Sequence, residues 1–250
     1  MIPYFPQPAV HLGRVTIHAY GALAVVAVLV SLWVIVRRGR RMGIGAEEMF
    51  RLWFWMYVGA VLGSHLFRTV FEDFGGFLAD PLRVFRIGSG VSTLGAATGG
   101  VFAALLWCRA RRLSWFELLR RMDIVAYAIP TAWMFGRLGC ALAHDHKGLP
   151  SLSWIAVQFP EGPRYDLGLL EFLFLVGVVG AFWVLDRRPR PAGFFLALYG
   201  LGYGGFRLWL ATLRLGPARF YDGAAGVLLG LLAWTAMRSF ERSRAASVLR

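Results

Sequence analysis

Between Thr131 and Gly148 the chain reads TAWMFGRLGCALAHDHKG, an apolar run with one arginine, Arg137, that leads straight into His144, Asp145 and His146. An arginine inside an apolar segment costs roughly 2.5–3.5 kcal/mol on insertion scales, so it faces a protein interior or a polar cavity and marks function. Its planar fork can meet a phosphate through two hydrogen bonds at once. A histidine beside a carboxylate is a general base for neutral pH, and two histidines two residues apart share a side if the segment is extended. The same trio could simply order the loop by hydrogen bonding. As a zinc half-site it lacks a third ligand nearby in sequence, and no metal is expected. A second arginine, Arg207, follows Gly200, Gly202, Gly204 and Gly205, while Gly136 and Gly139 bracket Arg137. Such glycines either let helix backbones approach closely or clear room beside a long side chain for a lipid. Each arginine could also be one half of a purely structural ion pair.

The elements that carry these residues are apolar. With 250 residues, 58% hydrophobic and 16% charged, and a mean hydropathy of +0.57, the composition belongs to a polytopic membrane protein. Seven runs are long enough to span, at about 17–36, 53–72, 91–107, 122–143, 168–185, 193–213 and 222–238. The expected fold is therefore all-α with about seven transmembrane helices, a single transmembrane domain over 1–250, and an outer loop at about 144–167. Most of the 27 basic residues cluster on one side: Arg37, Arg38, Arg40, Arg41 and Arg51; Arg109, Arg111, Arg112, Arg120 and Arg121; Arg187, Arg188 and Arg190; then Arg238, Arg242, Arg244 and Arg250. That alternation sets the N-terminus outside and the C-terminus in the cytoplasm. It also accounts for the net charge of +13 without nucleic acid. Cys108 and Cys140 sit in apolar surroundings, which argues against a disulfide framework. The first apolar run is followed by RRGRR and preceded by no basic stretch, so no cleavable signal is expected.

Sidedness leaves some cations unexplained. Arg14, Arg68, Arg83, Arg86, Lys147, Arg164, Arg214 and Arg219 fall on the outer side, and Arg137 and Arg207 lie in spans four and six. A phospholipid phosphate is the nearest candidate anion, with interfacial snorkelling the ordinary alternative for the outer set. His18 and Tyr20 open the first span, and Trp53, Trp55 and Tyr57 lie in the second, all where an aromatic belt is expected.

The motifs resemble those of the prolipoprotein diacylglyceryl transferases, bacterial inner-membrane enzymes. HAYG (His18 to Gly21), ADPLRVFRIGSGVSTLGAATGG (Ala79 to Gly100), GRLG (Gly136 to Gly139) with Gly148 at the end of the same signature, and YGGFR (Tyr203 to Arg207) occur in the family's order. The resemblance implies transfer of a diacylglyceryl group from phosphatidylglycerol, or a similar anionic phospholipid, to the lipobox cysteine of a prelipoprotein signal peptide, with no cofactor. It puts Arg137 and Arg207 on the essential arginines, and His18, Tyr20, Gly136, Gly139, Gly148, Tyr203 and Glu171 at substrate-site positions. Four positions depart from the family pattern: Leu94 stands for the histidine of its His-Gly-Gly motif, Cys140 for an asparagine, Ala211 for a glutamate, and Leu170 for the tyrosine of a Tyr-Glu pair. With Leu94 there, His144 or His146, oriented by Asp145, is the expected base. Seven helical residues separate Arg137 from His144, about 10 Å at 1.5 Å per residue. The alternatives are a related transferase with another acceptor and a non-catalytic phospholipid-binding paralogue.

Overall fold

In the computed structural model, residues 1–13, 15–86, 92–216 and 220–248 are described. Arg14, Arg219, Arg250 and the 87–91 part of the Ala79–Gly100 segment lie outside the described residues. Long apolar runs become helices because only a helix satisfies every backbone group without water. They are α1 (Ala19–Arg41), α2 (Ala46–Phe67), the short α3 (Phe74–Ala79), α4 (Thr93–Ala110), α5 (Trp115–Ala143), α6 (Leu167–Leu185), α7 (Phe194–Ala211) and α8 (Phe220–Val248). Among the described residues five are long and apolar enough to cross a membrane: α1, α4, α5, α6 and the Phe220–Ser243 part of α8. The second and sixth expected spans fall on α2 and α7, whose glycines and polar residues dilute their apolar content.

Strands, not anticipated from the sequence, accompany the helices. The strands β2 (Ala9–Leu12) and β3 (Val15–His18) pair antiparallel, so α1 begins only at Ala19. The expected outer loop contains β4 (Lys147–Pro150), β5 (Val157–Phe159) and β6 (Gly162–Asp166). With β1 (Ile2–Pro3) they make a four-stranded sheet in the order β1-β5-β6-β4.

The chain divides into two compact units, Ile35–Arg121 and Met1–Val34 with Met122–Arg250. In the first, α2 and α4 cross on glycines. A Cβ on Gly63 would come within 2.4 Å of the Gly95 carbonyl oxygen, and one on Gly99 within 2.2 Å of that of Gly59. Gly59/Gly63 and Gly95/Gly99 are thus facing small-xxx-small pairs, the pattern that lets membrane helices touch backbone to backbone. A single π-helical turn, Arg68–Glu72, follows α2. It presents Glu72 to the Ser92 hydroxyl at 2.6 Å, and Ser92 in turn caps α4 at Gly95. Arg121 donates to Glu48 at 2.6 Å and also pairs with Glu117.

The second unit repeats the device. A Cβ on Gly200 would meet the Gly230 amide nitrogen at 2.6 Å, and one on Gly204 that of Val227 at 2.5 Å, so α7 and α8 also cross in backbone contact. Gly202 and Gly205 have nothing within 4 Å of an added Cβ. The close-approach reading of this glycine run therefore applies at Gly200 and Gly204. Rings of Tyr127 on α5, Phe182 on α6 and Phe195 on α7 pack at 5.0–5.8 Å. Asp123 on α5 accepts from the Leu196 amide at 3.0 Å and so caps α7. A Cβ on Gly168, at the start of α6, would come within 3.0 Å of Cys140 Cβ on α5. Gly204→Ala would force the α7–α8 crossing apart and is expected to cost about 1–3 kcal/mol, read as a lowered melting temperature in detergent. Gly202→Ala meets open space and should leave that temperature unchanged.

Candidate active site

Trp133 and Arg137 stand four residues apart on α5, as do Tyr203 and Arg207 on α7, so each pair shares a helix face. Between them, one turn into α6, lies Glu171, only 1% exposed. Its carboxylate is shared. Arg137 Nε lies 2.9 Å from Oε1, and Arg207 Nη1 lies 3.0 Å from Oε2. The Tyr203 hydroxyl donates to Oε1, and the Trp133 indole donates to Oε1 at 3.1 Å and to the Tyr203 oxygen at 2.9 Å. Arg137 also sits over the Trp133 ring at 5.2 Å. The second Arg207 nitrogen reaches Asp222 on α8 at 3.0 Å. Two guanidinium cations are thus matched by two carboxylates in a low-dielectric interior, where an unmatched charge would cost several kcal/mol.

A narrow cleft opens beside this cluster, lined by His146, Leu167, Glu171, Arg207, Leu210, Ala211 and Arg214. His146 and Arg207 therefore face one space, and so does Ala211, one of the departures. His146 Nδ1 is hydrogen-bonded to Asp145. That carboxylate is the main reason the imidazole is held up, to about 9. At the other end of the segment His144 takes a left-handed φ of 52°, the usual way a helix such as α5 is stopped. The His144 ring turns into a seat of Tyr4, Phe5 and Phe159 at 4.8–5.5 Å. Its Nδ1 meets Asp166 at 2.7 Å, and its Nε2 is buried without a hydrogen-bond partner. Asp166 caps α6 through the Leu169 amide at 3.1 Å, and burial pushes its carboxyl up. The two histidines thus face different partners rather than sharing a side, and Asp145 serves His146 while Asp166 serves His144.

The remaining expected site residues fall as follows. Gly139 packs on Tyr20, whose side chain an added Cβ would meet at 3.0 Å. Tyr20 is 45% exposed. Gly148 fits under Leu167 and the Leu213 carbonyl, at 2.8 and 2.9 Å from an added Cβ, and so ties β4 to the end of α7. Gly136 has open space around it. His18 stands exposed at the end of β3, in register with Ala9. Four of the cations expected on the outer side are ion-paired: Arg68 with Glu72, Arg83 with Asp73, Arg86 with Asp80 and Lys147 with Glu161, all at 2.8–3.0 Å. Lys147 holds the exposed Glu161 carboxyl below its usual range. Trp133 and Asp222 were not anticipated. Asp222 is a carboxylate at the head of an apolar helix, and that rule for buried charge could have flagged it.

A sequence model of the family described as prolipoprotein diacylglyceryl transferase matches residues 7–244. The chain belongs to that family. A relative in Chromohalobacter salexigens, named phosphatidylglycerol–prolipoprotein diacylglyceryl transferase, is 33% identical over 85% of this chain and 80% of its own. Relatives of the same name in Pseudoalteromonas atlantica, at 32% over 84% and 77%, and in Ectopseudomonas mendocina, at 30% over 94% and 87%, resemble it similarly. Membership of the family agrees with buried arginines beside a cleft on an apolar helical scaffold. Glu171→Ala would leave both guanidinium groups without their shared carboxylate, and a loss of about 3–5 kcal/mol is expected. Glu171→Gln, which keeps an acceptor oxygen, should lose less in the same detergent melting experiment.

Proposed function

We propose that this protein transfers the diacylglyceryl group of phosphatidylglycerol to the cysteine of a prolipoprotein, at the outer side of a bacterial inner membrane. In this reading the chain is one membrane domain of seven spans, α2 and α7 included, with its N-terminus outside. The observation that carries the reading is the sharing of one carboxylate by Arg137 and Arg207 beside the cleft that His146 lines. A lipid phosphate offers those guanidinium forks what Glu171 offers them now, two acceptor oxygens on one centre.

The chemistry balances without a redox partner. The acceptor thiol, whose ordinary pKa is about 8.5, loses its proton to become the nucleophile. Its sulfur forms a bond to the glyceryl carbon, the carbon–oxygen bond to phosphate breaks, and glycerol phosphate leaves with that electron pair. Arg137 and Arg207 stabilise the charge as it moves onto the leaving group. His146, oriented by Asp145, takes the thiol proton in its uncharged form. The same carboxylate makes that form scarce below about pH 9, so turnover should rise with pH toward that value. His144 serves as a structural latch between α5 and α6. Tyr20 and Gly139, in contact where α1 meets α5, line the lipid's approach.

The test uses the purified protein in detergent with labelled phosphatidylglycerol and a lipobox peptide, following label transfer and glycerol phosphate release. Arg137→Ala and Arg207→Ala are each expected to lower turnover roughly 10²–10³-fold, the usual cost of removing one preorganised donor at the site of developing charge. His146→Ala should lower turnover, whereas His144→Ala should lower the melting temperature more than it lowers turnover per folded molecule. Undiminished transfer in Arg137→Ala would sink the phosphate assignment. Lipid binding without transfer by the unaltered protein would point to another acceptor or to a lipid-binding relative.

A further inference from the structure

Asp145 and His146 lack a third metal ligand in their stretch of sequence, and the last turn of α5 supplies one. Donor atoms of Cys140, Asp145 and His146 all lie within 4.8 Å of one another. The backbone holds them there. The left-handed residue His144 reverses the chain at the end of α5, and its Asp166 contact locks that reversal. The His146 carbonyl accepts from the Leu167 amide at 2.9 Å, and Gly168 seats the start of α6 against Cys140. The cluster is therefore fixed by two helix ends rather than left on a free loop.

We infer that Cys140, Asp145 and His146 form a binding site for a zinc-class divalent cation at the mouth of the cleft, and that its occupation excludes turnover. Bonds of about 2.0–2.3 Å to sulfur, nitrogen and oxygen set tetrahedral donor atoms roughly 3.3–3.8 Å apart. Small side-chain rotations close the present spacing to that. A thiolate with an imidazole selects zinc, cobalt or copper over magnesium or calcium, which take oxygen donors. Charge fits as well, because a thiolate and a carboxylate neutralise a dication. Arg137 Nη1 lies 3.8 Å from the sulfur. Cys140 is buried, His146 half-buried and Asp145 exposed, so a cation enters past the aspartate and the fourth position stays open. Cys140 does not serve as a transient nucleophile on the lipid, since the thioether it would form has no leaving group to pass on.

The second half of the inference rests on His146 as the proton acceptor. A ring nitrogen bound to a cation has no lone pair for a thiol proton, so cation and reaction compete for one residue.

The test titrates the full-length, chelator-treated protein in detergent with Co²⁺ and records the absorption of thiolate-to-cobalt charge transfer. One equivalent is expected to produce the band, and Zn²⁺ to abolish it by displacement. The band should vanish in Cys140→Ser and persist in Cys108→Ser, Cys108 being the other of the chain's 2 cysteines. Affinity should fall at least tenfold in Asp145→Asn and in His146→Ala. Absence of the band, or its survival in Cys140→Ser, overturns the site. In the transfer assay Zn²⁺ should inhibit the unaltered protein reversibly, with a tenfold or greater weakening of inhibition in Cys140→Ser. Binding without inhibition overturns the competition alone. A protein that binds cobalt yet transfers nothing overturns the proposed function and leaves the cation site standing.

Discussion

One buried carboxylate holds this site together. Glu171 takes Arg137 on one oxygen and Arg207 on the other, with Tyr203 and Trp133 completing its shell. Three helices meet at that residue, and Asp222 on a fourth balances the charge. Paired buried ions contribute little net stability over apolar residues of the same shape, while an orphaned member is severely destabilising. The cluster therefore serves arrangement more than stability. It keeps two guanidinium forks at a fixed spacing and orientation in the absence of any ligand, which is the preorganisation that charge-stabilising sites require.

The glycine crossings make that arrangement possible. Arg207 and Asp222 can meet only because α7 and α8 approach until their backbones touch at Gly200, Gly204, Gly226 and Gly230. The aromatic contacts of Tyr127, Phe182 and Phe195 hold α5, α6 and α7 in turn. At the start of α6 the joint is polar. Asp166 stops the α6 amides from being orphaned and simultaneously captures His144, so one side chain fixes both the start of α6 and the exit of α5.

How far the site could be read from sequence follows from these physics. Arg137 and Arg207 were legible because an ionised group in an apolar run is expensive and must have a purpose, and the family motifs added Tyr203 and Glu171. Trp133 and Asp222 were not, since choosing a partner requires knowing how each helix is rotated. The helices α1, α4, α5, α6 and α8 announced themselves by long apolar runs, though α5 begins at Trp115 rather than about 122 and α8 runs on to Val248 rather than about 238, through charged residues that an apolar run does not include. The short strands β4, β5 and β6 did not, because three to five residues of mixed polarity fall below any detectable alternation. The assumption of an extended His-Asp-His failed at a single torsion, the positive φ of His144, and that torsion decides which imidazole reaches the cleft. Cys140, which reads in sequence as a lost asparagine, acquires company only when the chain doubles back over it.

The backbone contact between α7 and α8 has a mechanical side. Helices separated by side chains can slide by repacking rotamers, but helices in contact through amide and carbonyl atoms have nothing soft between them. Arg207 and Asp222 consequently ride on one stiff plank. Any breathing of the cleft has to come from the segment around His146 or from the α6 side, and the Arg207–Asp222 pair travels as a unit rather than coming apart.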